Sequence, residues 1–141
     1  NLPWTDLGNW IEILKIFNAN KSKYFKKKNV FQRPWGKYVN LFRGNNFLIK
    51  ELIVNSKSSI SLQKHNYRSE YWIVFKGKPR ITINKRKFFL NKSESVHIPV
   101  KAIHRIENLY KVPVRIMEAQ IGSILKESDI VRYKDMYGRT N

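Results

Sequence analysis

From Val30 to Gly122 the chain is a succession of short runs rich in β-branched and aromatic residues, cut repeatedly by turn chemistry. The runs are GKYVNLFRGNN, FLIKELIV, SISLQKH, EYWIVFKGKP, RITINKRKFFLN, SVHIPV, HRIENL and VRIMEAQIG. Such composition suits strands, whose successive side chains point to opposite faces. Seven or eight strands at a spacing of roughly 8–12 residues, with hardly a helical period among them, predict an antiparallel sandwich or barrel. One all-β barrel over residues 30–122 is therefore expected.

Helical periodicity is confined to the flanks. NWIEILKIF, residues 9–17, sets Trp10, Ile13, Leu14 and Phe17 on one helical face, with Thr5 and Asp6 as caps. NANKSKYFKKKN then carries like charge without an apolar period and reads as an exposed linker. The tail from Lys126, KESDIVRYKDMYG, reads as helical or turn-like. The expected division is a helix and linker over 1–29 and a barrel domain with a short helical tail over 30–141.

A chain of 141 residues suits one domain with a real hydrophobic core. With 42% hydrophobic residues and no apolar run long enough to cross a bilayer, a soluble chain with no membrane partner is expected. Cysteine is absent, which excludes disulfides, zinc ribbons and thiol catalysis; the cytoplasm is the expected compartment. The formal net charge of +18 points to a phosphate-bearing partner, either nucleic acid or a small phosphorylated molecule. The cations are spread along the chain apart from Lys21–Lys28, and Lys dominates in a composition also rich in Asn and Ile. That distribution favours solvated charge with a local anion site over a nucleic-acid face.

The polar residues around EYWIVF are what a buried strand would not choose. Gln63 and His65 are two apart, so an extended strand turns both to one face; Glu70 opens the next strand after NYRS and can come alongside. His104, at the start of a later strand, is the best fourth partner. Gln63, His65, Glu70 and His104 make a mixed N/O ligand set without sulfur, suited to Zn, Mn, Fe, Co or Ni. His97, ahead of Ile98 and Pro99, is read as structural. Glu118 and Gln120 share one strand face, and a carboxylate inside a barrel strand makes Glu118 a candidate base.

The spacing Gln63-x-His65, Glu70, Gly77 and later Pro99, His104, Asn108 resembles the two-part cupin pattern, G-x5-H-x-H-x(3,4)-E-x6-G and G-x5-P-x-G-x2-H-x3-N. Gln63 stands in the first His position. RPWGKYVNLF, SLQKHNYRSEYW, HIPVKAIHRIEN, MEAQIG and ESDIVRYKDMYGR resemble, in order, the type II mannose-6-phosphate isomerase domain, over nearly all of residues 31–139. PWTDLGNW is similar to the W-S-D-V-G-S-W segment near the end of the nucleotidyltransferase domain to which such cupins are usually fused, with Asp6 at the acidic position. The Gly-rich nucleotide-binding signature of that domain is absent from these 141 residues, so no guanylyltransferase activity is expected of them alone.

The resemblance implies a cupin jelly-roll barrel and a metal-assisted interconversion of mannose 6-phosphate and fructose 6-phosphate, feeding GDP-mannose synthesis. That chemistry needs a base beside a carbonyl, a Lewis acid for developing oxygen charge, and cations for the phosphate. Arg68 and Arg105, each near ligand positions, are the expected guanidinium partners for phosphate or enediolate charge, with Glu118 as the candidate base. Where the family carries Q-M-H-H-H-R-x-E-H-W, this chain has Asn66, Tyr67 and Tyr71 at the last three histidine positions. Lys57, Ser93 and Lys101 replace cupin glycines where turns favour positive φ. Two other functions compete: a non-catalytic metal-binding cupin that binds a sugar phosphate, and a basic barrel that binds nucleic acid. A two-fold homodimer is the default assembly.

Overall fold

The computed structural model describes residues 29–134, so the expected helix over 9–17, its linker and the division near Asn29 lie outside the described residues. Within them the chain forms β1 (Val30–Arg33), β2 (Gly36–Arg43), β3 (Phe47–Val54), β4 (Leu62–Lys64), β5 (Arg68–Lys76) and β6 (Arg80–Ile83). It continues with β7 (Arg86–Phe89), β8 (Ser95–Ile98), β9 (His104–Glu107), β10 (Val114–Gly122) and β11 (Val131–Lys134). One sheet has the order β1-β2-β3-β10-β5-β8, the other β11-β4-β9-β6-β7, and all pairings are antiparallel. Strand β10 enters between β3 and β5, and β9 between β4 and β6. These crossings make the two-sheet jelly roll expected from the strand pattern.

Trp72, Val74, Ile81, Ile106, Val114 and Ile116 come from both sheets, are fully buried and form the main core. A second cluster, including Val39, Ile49, Ile73 and Met117, is out of phase by one residue with Tyr38, Trp72 and Ile116, and so lies on the opposite face of the larger sheet. Burial on both faces explains why FLIKELIV reads as a near-continuous apolar run rather than a strict alternation. At about 25 cal/mol per Å² of apolar surface removed from water, side chains such as Trp72 and Ile116 dominate the stability of this barrel.

Three details differ from the sequence reading. RITINKRKFFLN is a hairpin, β6 and β7, turned at Asn84, which tolerates its φ of 54°. Val30–Arg33 adds an edge strand. The tail is not helical over 131–134: it is β11, which extends the smaller sheet by pairing with β4. Its local pattern is ambiguous, and a tertiary partner decided the outcome. The turns at Lys57, Ser93 and Lys101 do have positive φ, at 56°, 72° and 69°. At Gly77, by contrast, φ is 88° and an added Cβ would meet Val114 Cγ2 at 2.9 Å.

Candidate metal centre

His65 follows β4, Glu70 lies in β5 and His104 opens β9, and one ligand atom from each lies within 4.8 Å of the others. All three are buried. Their positions follow from strand parity: Glu70 and Trp72 share the inward face of β5, and His104 shares that of β9 with Ile106.

Each imidazole is oriented by its far nitrogen. His65 Nδ1 lies 2.6 Å from the Asp129 carbonyl, and His104 Nδ1 lies 2.9 Å from that of Ala102. A carbonyl only accepts, so both Nδ1 atoms carry the hydrogen and both Nε2 atoms face Glu70, at 3.1 Å and 3.6 Å. His104 Nε2 is buried with no hydrogen-bond partner among the described residues. Burial pushes His104 down to about 4, against the pull of Glu70, so it is a neutral imidazole aiming a lone pair at a carboxylate. Burial also lowers His65, but the charge and hydrogen bond of Glu70 outweigh it and raise the net value. Glu70 would rise on burial; His65, His104 and Arg68 hold it well below the usual carboxylate range.

The unpartnered lone pair of His104 Nε2 converges with His65 Nε2 and the Glu70 carboxylate, an arrangement that a divalent cation would satisfy, so the donor set fits a metal. Backbone carbonyls behind both imidazoles fix their tautomers as outer partners of metal ligands commonly do. Gln63 is the cross-strand partner of His104 and lines the same cavity, with its Oε1 accepting from Ser61 Oγ at 3.1 Å.

A cavity of about 50 Å³ reaches this cluster at Glu70 and is lined also by Gln63, Arg68, Glu118, Gln120 and Arg132. It shares Lys50, Arg68 and Gln120 with a wider recess of about 400 Å³. The Trp72 indole N–H donates to Glu70 Oε1 at 3.2 Å and to Glu118 Oε2 at 3.0 Å, tying the two carboxylates together. Glu118 also accepts from Gln120 Nε2 at 2.6 Å and lies 4.0 Å from Lys50 Nζ. Burial and then the charge of Glu70 push Glu118 up to about 7, despite Lys50, Arg68 and Gln120.

Arg68 is buried in the cluster, donating Nε to Glu70 Oε2 at 3.2 Å and an Nη1 hydrogen to the Lys126 carbonyl at 3.1 Å. Arg105 is not brought to the site. It is out of phase with His104 on β9, pairs in register with Thr82, and donates Nε to the Ile60 carbonyl at 3.1 Å. Adjacency to a ligand in sequence puts a strand residue on the wrong face. The three altered histidine positions leave the cluster untouched: Tyr67 is 56% exposed, Asn66 N donates to Asp129, and Tyr71 stacks on exposed His97, ring centroids 4.5 Å apart.

Sequence reasoning missed Lys50, Asp129 and Arg132. Asp129 is buried; besides holding His65 through its carbonyl, its carboxylate accepts from the backbone N–H groups of Asn66 and Tyr67 at 2.9 and 3.1 Å. The signal for Lys50 was a lysine inside FLIKELIV; for Asp129 and Arg132 it was their place in the ESDIVRYKDMYGR segment. Asn108 has a structural task, its amide joining the loop after β9 to the Val54, Asn55 and Val112 carbonyls.

A double-sheet barrel with a buried His/Glu/His cluster at one mouth defines a cupin with a candidate metal centre. Solved structures of the same fold include the cupin domain of Schizosaccharomyces pombe Cnp3 (TM-score 0.61, 17% identity, 69% of this chain and 72% of that one). Another is the capsular polysaccharide assembling protein CapF of Staphylococcus aureus (TM-score 0.65, 17% identity, 75% of this chain and 34% of that one). The chain belongs to the family described as mannose-6-phosphate isomerase C-terminal, whose model matches residues 19–135. It is 42% identical over 109 residues to the alginate biosynthesis protein AlgA of Pseudomonas putida, covering 77% of this chain and 22% of that protein. To the mannose-1-phosphate guanylyltransferase ManC of Salmonella typhimurium it is 41% identical over 125 residues, covering 89% and 26%. To the xanthan biosynthesis protein XanB of Xanthomonas campestris it is 38% identical over 128 residues, covering 91% and 27%. The chain thus spans about a quarter of the length of these relatives. No helix among the described residues is long and apolar enough to cross a membrane.

Proposed function

We propose that this domain interconverts mannose 6-phosphate and fructose 6-phosphate with the help of a divalent metal, as a cytoplasmic step supplying GDP-mannose for polysaccharide synthesis. The observation that carries the reading is the buried His65–Glu70–His104 cluster with an unpartnered His104 Nε2, in a member of the mannose-6-phosphate isomerase family. His65, Glu70 and His104, with Gln63 beside them, would hold Zn, Mn, Co, Fe or Ni, since mixed N/O sets do not choose among these ions by donor type.

When bound, such an ion supplies a Lewis acid for the sugar's carbonyl and hydroxyl oxygens. The remaining work is done by the chain. Isomerisation moves a proton between the two carbons next to each other at the carbonyl end of the sugar, and a carboxyl titrating near 7 is suited to take and return it. Glu118 has that character, and the Trp72 indole fixes its distance from Glu70. Lys50 stands by to offset negative charge as Glu118 ionises. Arg68 contributes positive charge at the cavity wall.

The test is conversion of mannose 6-phosphate by the purified chain loaded in turn with each of these metals. Turnover that His104→Ala and Glu118→Gln both abolish is expected. Absence of turnover with every metal would overturn the enzymatic reading; sugar-phosphate binding in that case would leave a non-catalytic binding domain.

A further inference from the structure

We infer that Arg132, on the tail strand β11, is the residue that holds the anionic group of the ligand in this cavity; the identification of that group as a sugar's phosphoryl rests on the isomerase reading. Four cations line the cavity: Arg33, Lys50, Arg68 and Arg132. Three of them are engaged. Arg33 has one guanidinium nitrogen 3.7 Å from Glu127 Oε1 and donates to the Tyr38 hydroxyl at 3.2 Å. Lys50 sits over the Tyr38 ring at 4.2 Å and 4.0 Å from Glu118. Arg68 is occupied by Glu70 and the Lys126 carbonyl.

Arg132 differs from these. Its Nε is buried with no hydrogen-bond partner among the described residues. An orphaned guanidinium N–H at a cavity wall is costly unless a ligand satisfies it, and the planar fork of arginine matches phosphoryl oxygens two at a time. The topology explains its placement. Arg132 pairs in register with Gln63, which pairs in turn with His104, so β11, β4 and β9 set Arg132, Gln63 and His104 in a row across one inward face. Asp129, three residues before Arg132, clamps this segment to Asn66 and Tyr67 and so fixes where β11 begins. Arg105, in register with Thr82 on the other face of β9, has no access to that row.

Calorimetry on the metal-loaded chain tests this with three probes: mannose 6-phosphate, unphosphorylated mannose and inorganic phosphate. Relative to wild type, Arg132→Gln is expected to weaken mannose 6-phosphate and inorganic phosphate by about 10- to 100-fold. Mannose binding and bound metal should be unchanged, and Arg132→Lys should recover part of the loss. In kinetics the same variant should raise KM with a much smaller effect on kcat. Equal affinity of wild type and Arg132→Gln for both phosphate probes would overturn the inference while leaving the isomerase reading standing, and so would wild type binding neither probe. Loss of inorganic phosphate binding in Arg132→Gln, in a chain that does not isomerise mannose 6-phosphate, would support the anion site and refute the isomerase reading.

Discussion

Replacing Glu118 by glutamine should make the metal-free domain more stable at alkaline pH than at acid pH, relative to wild type. Burial and the neighbouring charge of Glu70 raise this carboxyl from 4.5 to about 7. A raised folded-state pKa means that the folded chain binds the proton more tightly than the unfolded one between these limits. The stability associated with the protonated form is therefore complete below about 4.5 and is lost as pH rises through 7. At about 1.4 kcal/mol per pH unit, the loss across the window is about 3 kcal/mol. Glutamine keeps the shape and the acceptor for Trp72 Nε1 but cannot ionise, so this loss disappears in Glu118→Gln. Urea unfolding of both proteins in chelator, from pH 5 to pH 8.5, gives the difference in unfolding free energy at each pH. Any pH-independent effect of the substitution, including the altered environment of Lys50, cancels when the acid value is subtracted. The difference should shift in favour of the variant by about 3 kcal/mol, most of it between about pH 5 and pH 7, and should level off above 7. A flat difference, or one shifting against the variant, would refute the assignment of a raised pKa to Glu118 and with it the argument for its role as base.

Asp129→Ala removes the acceptor of two backbone N–H groups and loosens the carbonyl that orients His65. Metal affinity should fall by about 10- to 100-fold by competition with a chromophoric chelator. Ser93→Gly and Lys101→Gly relieve left-handed backbone at φ 72° and 69° and should each raise the melting temperature by a few degrees, about 1 kcal/mol, read by calorimetry. Ile116→Ala, at a fully buried core position, should cost about 2–5 kcal/mol in chemical denaturation. Arg105→Gln should leave kcat/KM within about twofold of wild type, because its side chain lies on the face of β9 away from the cavity.

Much of the barrel is legible in the chain because strand signals are local. Val, Ile, Phe and Tyr in short runs, punctuated by Gly, Pro and Asn, need no knowledge of partners, and EYWIVF and VRIMEAQIG became β5 and β10. The cluster was legible for the same reason where parity alone sufficed: Gln63 lies across the sheet from His104, and Glu70 faces inward with Trp72. The same parity, applied to Arg105 beside His104, would have placed it on the opposite face. What local pattern does not contain is register between distant segments. VRYK becomes a strand because β4 offers an open edge, and that pairing, 67 residues apart for Val131 with Lys64 and 69 for Arg132 with Gln63, is what brings Arg132 to the cavity. Lys50 faces Glu118 through the β3–β10 register, and Asp129 reaches His65 across 64 residues. The altered histidines looked like losses in the sequence, whereas Tyr67 lies at the surface and Tyr71 packs on the sheet's other face.

The most direct test of the central claim is a metal titration of the chelator-stripped chain that follows bound ion and mannose 6-phosphate conversion in the same samples. Conversion should rise in proportion to occupancy, level off at one ion per chain, and be lost together with tight binding in His104→Ala. Conversion independent of metal, or an ion bound equally well by wild type and His104→Ala, would contradict it.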